Sequence, residues 1–117
     1  MVNRPKVLVV EDIALVRMTA VEMIREIGFP AAEAGGGEEA LSLLQADPDI
    51  GILLTDLGLP GMTGWQLTER AQSLKPNLKV IIASGYSPGS EAAGTRARVT
   101  QIVKPFGIEQ LRRALES

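Results

Sequence analysis

Residues 50–56 read IGILLTD, a nearly continuous apolar run that ends in an aspartate. A run without polar alternation predicts a β-strand covered on both faces, which is typical of a parallel sheet between two layers of helices. The next eight residues, LGLPGMTG, contain three glycines and one proline and predict a loop. The segment therefore predicts a buried strand that presents Asp56 at its carboxyl end.

Other parts of the chain repeat this strand pattern. Residues 6–10, 78–83 and 99–103 read KVLVV, LKVIIA and VTQIV, and each predicts a buried strand. Residues 30–34 read PAAEA, a weaker strand that its proline restricts to the edge of a sheet. The chain thus offers five strands, of which the second belongs at an edge.

Apolar residues at helical spacing separate these strands. Asp12 is the expected N-cap of the first helix, Gly28 is its expected end, and the triple glycine at 35–37 predicts a loop. The apolar positions of the four clearest helices are Val16, Ala20, Met23, Ile24 and Ile27; Ala40, Leu41 and Leu44; Trp65, Leu67, Ala71 and Leu74; and Ile108, Leu111 and Leu115. A further helix in residues 86–98 is expected to be short, because that segment contains Pro88, Gly89 and Gly94.

The alternation of strands and helices predicts the fold class. Five βα units, with no linker between them, predict an α/β doubly wound parallel sheet with right-handed crossovers. An edge position for the second strand matches the flavodoxin-like (βα)5 strand order 2-1-3-4-5. The chain has 117 residues, the usual size of one domain, so we expect residues 1–117 to form a single domain.

Composition excludes several classes of protein. Lys and Arg number 12 and Asp and Glu number 14, a net charge of −2, which argues against a direct nucleic-acid partner. The absence of cysteine and histidine excludes disulfides, typical zinc sites and a Ser-His-Asp triad. No stretch is long and apolar enough for a membrane span or a signal sequence, so we expect a cytoplasmic location.

Polar side chains follow four of the five predicted strands, and they are Glu11, Asp12, Asp56, Ser84 and Lys104. The carboxyl ends of parallel strands meet at one edge of the sheet, where ligands bind in this architecture. Three crowded carboxylates repel one another unless a hard cation such as Mg²⁺ binds them. The group therefore predicts a Mg²⁺-assisted phosphoryl site with Asp56 as a carboxylate nucleophile.

Three segments of the chain resemble the signature segments of response-regulator receiver domains. They are VLVVED at residues 7–12, LLTDLGLPGMTG at residues 53–64 and IVKPF at residues 102–106. The three segments occur in the same order and with the same spacing as in that family, and the match covers essentially the whole chain. The resemblance implies a single receiver domain over residues 1–117, of the stand-alone or hybrid-kinase-attached type, in a two-component or phosphorelay system.

The resemblance also implies how the acidic residues act. Asp56 would accept a phosphoryl group from a phosphohistidine on a sensor histidine kinase or a histidine phosphotransfer protein. Mg²⁺ (or Mn²⁺) would be held by Glu11, Asp12 and Asp56. The backbone carbonyl of Gly58 would be a further ligand of the metal.

The resemblance implies roles for the last two strands as well. Ser84 would move to bond the phosphoryl group, and Lys104 would pair with its oxygens beside a cis Lys104–Pro105 peptide bond. The sequence departs from the family pattern at Gln101, which occupies a position that commonly holds a switching aromatic ring. We therefore expect phosphorylation to switch the 84–104 face by a rearrangement of residues 84–98, with Tyr86 as the moving ring and Gln101 as a surface contact.

Two other functions compete with this interpretation. A flavodoxin-like module that binds a nucleotide or flavin without phosphorylation would share the fold, but Glu11 and Asp12 place negative charge where such a module needs a hydroxyl-rich phosphate loop. A degenerate receiver that acts only in protein interaction would lack phosphorylation residues, which this chain has. We expect no turnover of a free substrate, because the chain offers no lid to enclose one, and we expect a monomer or weak dimer.

Overall fold

The computed structural model describes residues 4–85 and 98–117. The strands in these residues are β1 (Lys6–Val10), β2 (Ala31–Ala34), β3 (Ile50–Asp56), β4 (Gly58–Leu59), β5 (Met62–Thr63), β6 (Lys79–Ser84) and β7 (Val99–Val103). The helices are α1 (Ala14–Ile27), α2 (Gly37–Ala46), α3 (Gly64–Leu74) and α4 (Ile108–Glu116). None of the helices in these two ranges is long and apolar enough to cross a lipid bilayer.

Five of the strands form a parallel sheet in the order β2-β1-β3-β6-β7. This order confirms the predicted 2-1-3-4-5 arrangement and the edge position of the second predicted strand. In the pairing register, Val10 of β1 lies beside Thr55 of β3, and Asp56 of β3 lies beside Ala83 of β6. The carboxyl ends of β1, β3 and β6 therefore meet at one edge of the sheet.

Helices cover both faces of the sheet, which explains the continuous apolar strands. Val7 and Val9 of β1 pack into the core cluster that includes residues of α1 and α4, whereas Leu8 and Val10 pack into the cluster that includes residues of α2 and α3. All four side chains are 2% exposed or less. A strand buried on both sides has no position at which a polar residue would be solvated, so its sequence shows no alternation.

The ends of α1 differ in part from the prediction. The N-cap residue is Ile13, so the prediction of Asp12 as the N-cap was wrong. The reason lies in the preceding residue, because Oε2 of Glu11 accepts a hydrogen bond from the backbone N–H of Ile13 at 3.1 Å. At the other end, Gly28 terminates the helix as predicted, with a left-handed φ of 115° that favours glycine.

The loop predicted after Asp56 contains regular structure, so the prediction of an irregular segment was wrong there. Strands β4 and β5 form a short antiparallel hairpin in which Leu59 lies beside Met62. Gly61 makes the turn with a φ of 76°, which other residues rarely adopt. Leu59 and Met62 are 9% and 8% exposed, and their burial against the sheet orders the segment.

Three helix positions also differ from the sequence pattern. Gly37, predicted in a loop, is the first residue of α2, where a Cβ atom would lie 2.6 Å from Sδ of Met62. Val16 and Leu74 are 39% and 40% exposed, although their spacing predicted buried positions. Both lie in a terminal turn of their helices, where fewer neighbours cover them. The helix predicted in residues 86–98 falls almost wholly outside the described residues.

Lys79 is a buried charge at the amino end of β6. The residue is 8% exposed, and its Nζ donates to the backbone oxygens of Leu115 and Ser117 at 3.1 and 2.7 Å and to Oγ of Ser117 at 3.0 Å. These bonds place an ammonium at the C-terminal end of α4, where helix carbonyls lack partners. Burial, and then the positive charge of Arg98, hold the pKa of Lys79 below 10.5.

We expect Lys79→Met to cost about 1–3 kcal/mol of stability at neutral pH, because a buried carbonyl loses its donor. The cost should increase as the pH rises toward 10.5, the pKa of an ordinary lysine. Between the lowered pKa of the folded state and 10.5, Lys79 is protonated more often in the unfolded chain than in the folded one. The free energy of unfolding of the wild type therefore increases with pH in this range. Urea denaturation of both proteins across alkaline pH measures the difference, and parallel profiles would contradict it.

Candidate functional site

Three carboxylates meet at the carboxyl edge of the sheet. Glu11 and Asp12 follow β1, Asp56 ends β3, and one oxygen of each lies within 4.8 Å of the others. Glu11 is 4% exposed, Asp56 is partly buried, and Asp12 is exposed. The parallel pairing of β1 with β3 brings these residues together. Carboxylates at this separation repel one another, so the site favours a cation.

Lys104, which follows β7, supplies positive charge to this group. Its Nζ lies 2.6 Å from Oδ1 of Asp56 and 3.3 Å from Oε1 of Glu11. Burial lowers the pKa of Lys104, but the hydrogen bond to Asp56 and the negative charges of Asp56 and Glu11 outweigh burial, and the pKa is raised above 10.5. The side chain is therefore an ammonium at neutral pH and partly neutralises the carboxylates.

The backbone beside Lys104 connects the site to β6. The N–H of Lys104 donates to the backbone oxygen of Ser84 at 2.7 Å, and Ser84 lies beside Val103 in the sheet. Ser84 is partly buried at the end of the strand that neighbours β3. The Lys104–Pro105 peptide bond is cis, the isomer that the resemblance implies.

The remaining predicted residues lie at different distances from this group or outside the described part of the chain. Gly58 is exposed and begins β4, two residues after Asp56. Gln101 is partly buried inside β7, beside Ile82, rather than at the end of the strand. Tyr86 lies outside the described residues, as does most of the segment 84–98. The switch assigned to Tyr86 and Gln101 stays a prediction.

Gly64 contacts the site backbone, although the sequence pattern predicts only a loop glycine there. A Cβ atom at Gly64 would lie 2.8 Å from the backbone oxygen of Asp56 and 3.0 Å from Cα of Leu57. The N–H of Gly64 also donates to the backbone oxygen of Leu57 at 2.7 Å. Arg17 was missed as well, and its guanidinium donates to the backbone oxygen of Glu11 at 2.7 Å. Neither contact has a signal in the sequence, because each depends on the distance between separate elements.

An apolar surface lies next to the carboxylates. Ile13, Leu15 and Met18, around the start of α1, are 57%, 73% and 54% exposed. Beside them is a groove of about 390 Å³, here called the α1 groove, which is lined by Leu15, Val16, Thr19, Ala20, Met23, Lys104, Pro105 and Phe106. Because Lys104 lines the groove and also contacts Asp56, a protein that fills the groove comes close to that carboxylate.

Almost the whole chain matches the model of one known protein family. The family model described as "Response regulator receiver domain" matches residues 7–116. The chain belongs to the response-regulator receiver family. The receiver is thus a signalling domain of two-component systems, as the resemblance implies, and the flavodoxin-like flavin or nucleotide module is not supported.

Individual relatives agree with this family. The receiver is 32% identical over 108 residues to "Sensor kinase CckA" from Brucella abortus (strain 2308), covering 90% of this chain and 11% of that protein. It is 28% identical over 114 residues to "Sporulation initiation phosphotransferase F" from Bacillus subtilis (strain 168), covering 95% of this chain and 90% of that protein. The chain therefore matches a small part of one relative and nearly all of another.

A solved structure supports the same fold. The receiver superposes on the receiver domain of the hybrid histidine kinase CckA with a TM-score of 0.81 and 30% sequence identity, covering 95% of each chain. The flavodoxin-like fold predicted from the sequence is confirmed by this match and by the strand order. Receivers of this family interact with histidine kinases or phosphotransfer proteins, which gives the partner class.

Proposed function

We propose that this receiver accepts a phosphoryl group on Asp56 from a phosphohistidine of a partner protein. The observation that carries the proposal is the 2.6 Å contact between Asp56 and Lys104 within the group that includes Glu11 and Asp12. In the transfer, a carboxylate oxygen of Asp56 bonds to phosphorus, and the phosphorus–nitrogen bond of the donor breaks with its electrons returning to the imidazole. The product is an acyl phosphate on this chain, so no free substrate is turned over.

The acidic residues fit a divalent cation. Glu11, Asp12 and Asp56 offer carboxylate oxygens and Gly58 a backbone carbonyl, the donor type that Mg²⁺ or Mn²⁺ prefers. Within residues 4–85 and 98–117 no group donates a hydrogen bond to the exposed carboxylate of Asp12, which leaves it available to a cation or its waters. Bound Mg²⁺ would neutralise charge on the phosphoryl oxygens.

Lys104 and Ser84 would hold the transferred group. The ammonium of Lys104 already contacts a carboxylate oxygen of Asp56, so it is close to where phosphoryl oxygens arrive. Ser84 ends the strand beside β3, from which its hydroxyl would bond the same group. Rearrangement of the 84–104 face, with Tyr86 and Gln101, belongs to the same proposal.

The α1 groove supports a phosphohistidine-bearing helical partner, either a sensor histidine kinase or a histidine phosphotransfer protein. Leu15 is 73% exposed, and apolar side chains at this exposure are stabilised when a partner covers them. The groove borders Lys104, so a docked helix would bring a histidine toward Asp56.

We also propose that residues 1–117 act as one cytoplasmic domain, as a monomer or weak dimer.

Intact mass spectrometry after incubation with acetyl phosphate and Mg²⁺ tests the proposal. We expect the wild type to gain one phosphoryl group and Asp56→Asn to gain none, because the amide is not a nucleophile for this reaction. Asp49→Asn is the matched control, since Asp49 is an exposed loop aspartate, and it should be phosphorylated as the wild type is. An adduct that persists in Asp56→Asn would contradict the assignment of the acceptor.

The docking surface gives a separate prediction. Leu15→Glu should slow transfer from a phosphorylated histidine phosphotransfer protein by about tenfold or more, because a charge replaces an apolar side chain whose burial is worth roughly 1.5–3 kcal/mol. Phosphorylation by acetyl phosphate should be unchanged, since this small donor needs no groove.

Leu74→Glu provides the control for that prediction. Leu74 is a 40% exposed leucine on α3 that does not line the α1 groove. Its replacement should leave both donors' rates as they are. Equal transfer rates in Leu15→Glu and Leu74→Glu from the protein donor would rule out docking through the α1 groove.

A further inference from the structure

Arg17 joins three elements around the acidic residues. It lies in the first turn of α1, and its side chain is 20% exposed. Its Nη1 donates to the backbone oxygen of Glu11 at 2.7 Å, and its Nε donates to Oε1 of Glu33 at 2.9 Å. Glu33 belongs to β2, where it lies beside Val9 of β1. The guanidinium therefore bridges α1, the segment after β1, and the edge strand.

The carbonyl that Arg17 contacts belongs to the peptide bond between Glu11 and Asp12. A planar peptide moves as one unit, so fixing this carbonyl also fixes the orientation of the Asp12 backbone. Elsewhere on Glu11, the backbone N–H donates to the backbone oxygen of Ala34 at 3.2 Å, and the carboxylate accepts from the N–H of Ile13 and pairs with Lys104. Because Asp12 has no hydrogen-bond donor to its carboxylate within the described residues, its position depends on that backbone.

An arginine suits this position better than a lysine would. The planar guanidinium directs two separate N–H groups at a carbonyl and a carboxylate at the same time, which a single ammonium on a flexible stem does less well. The pairing with Glu33 also offsets the positive charge of Arg17. The residue can therefore orient the acidic segment with little net repulsion of a bound cation.

We infer that Arg17 is a positioning residue that sets the affinity of the acidic group for its divalent cation by orienting the Glu11–Asp12 peptide. This inference rests on the metal site of the proposed function. It assigns Arg17 no contact with the metal or the phosphoryl group. Glu33 contributes by holding the guanidinium in place.

Mn²⁺ titrations test the role of Arg17 without any phosphorylation reaction. The decrease in the electron paramagnetic resonance signal of the free ion measures how much Mn²⁺ is bound. We expect Arg17→Lys and Arg17→Gln each to raise the Mn²⁺ Kd about tenfold, the lower end of the effects found for groups that orient metal ligands. Glu33→Gln should also raise the Mn²⁺ Kd, but by less than the Arg17 substitutions. In acetyl phosphate reactions, the Mg²⁺ concentration for half-maximal rate should rise while the rate at saturating Mg²⁺ stays near that of the wild type.

Arg70→Gln is the matched control. Arg70 forms an exposed ion pair with Glu38 at 3.2 Å, whereas the carboxylates of Glu11 and Asp56 pair with Lys104, and the loss of Arg70 should leave the Kd unchanged. If only the charge of Arg17 mattered, Arg17→Gln would bind Mn²⁺ more tightly and Arg17→Lys would match the wild type. That result would overturn the inference, as would an unchanged Kd in both variants with only a lower melting temperature.

The same experiment separates this inference from the proposed function. Suppose that the wild type binds Mn²⁺, that Asp12→Asn weakens this binding, and that the Arg17 variants keep the wild-type Kd. This result overturns only the role of Arg17 and leaves the metal site standing. Wild-type protein that does not bind Mn²⁺, or an Asp12→Asn variant that binds it as tightly, contradicts the metal site itself and the inference with it.

Discussion

Gly64→Ala should lower the free energy of unfolding by about 2–3 kcal/mol, the upper part of the range for overpacking a well-packed site. The added Cβ would meet the backbone oxygen of Asp56 at 2.8 Å and Cα of Leu57 at 3.0 Å, and backbone atoms cannot turn aside as a flexible side chain can. Either α3 or the end of β3 must shift. Urea denaturation measures the loss of stability.

The same substitution should slow phosphorylation by acetyl phosphate at saturating Mg²⁺ by up to about 100-fold, because displacement of a reacting group by roughly 1 Å can have an effect of that size. Gly36→Ala is the control, since Gly36 lies at the start of a helix too, as the N-cap of α2, but has no atom within 4 Å of a Cβ placed there. It should lose about 1 kcal/mol or less and keep the wild-type rate. A Gly64→Ala variant as stable and as fast as Gly36→Ala would contradict the close contact.

The strand pattern and the ends of the strands could be predicted from the sequence because both are local. A run such as residues 6–10 must be buried on both faces, and parallel strands must present the residues after their carboxyl ends at one edge of the sheet. Those two facts are enough to bring Glu11, Asp12 and Asp56 together. The placement of Lys104 follows from the same rule applied to the last strand.

Contacts between separate elements could not be predicted in this way. Whether Gly64 touches the backbone of Asp56 depends on how closely α3 packs against β3, and no single segment encodes that distance. The N-cap of α1 differs for a related reason, because the Glu11 carboxylate bonds the N–H of Ile13. The exposure of Leu15 likewise depends on which neighbours cover α1.

Lys104→Met should change metal affinity and phosphorylation in opposite directions. The ammonium lies 2.6 Å from Asp56 and 3.3 Å from Glu11, so it competes with a divalent cation for the same carboxylates. Its removal should tighten Mg²⁺ binding by about tenfold, since charges about 4 Å apart interact by about 1–4 kcal/mol between the limits of water and a protein surface. Phosphorylation by acetyl phosphate should slow about 100-fold or more, because a group that stabilises developing charge is lost.

Titration calorimetry with Mg²⁺ and intact mass spectrometry over time measure these two effects. Lys6→Met is the matched control, because Lys6 forms an ion pair with Asp47 at the same 2.6 Å and with similar exposure of the lysine, 28% against 30%. Lys6 begins β1 at the opposite end of the sheet, so its loss should affect neither binding nor rate. If Lys104→Met lowered the Mg²⁺ affinity and the rate together, Lys104 would be holding the carboxylates in place for the metal rather than competing with it. The ion pair would then be part of the metal site's structure, and the proposed charge competition would be wrong.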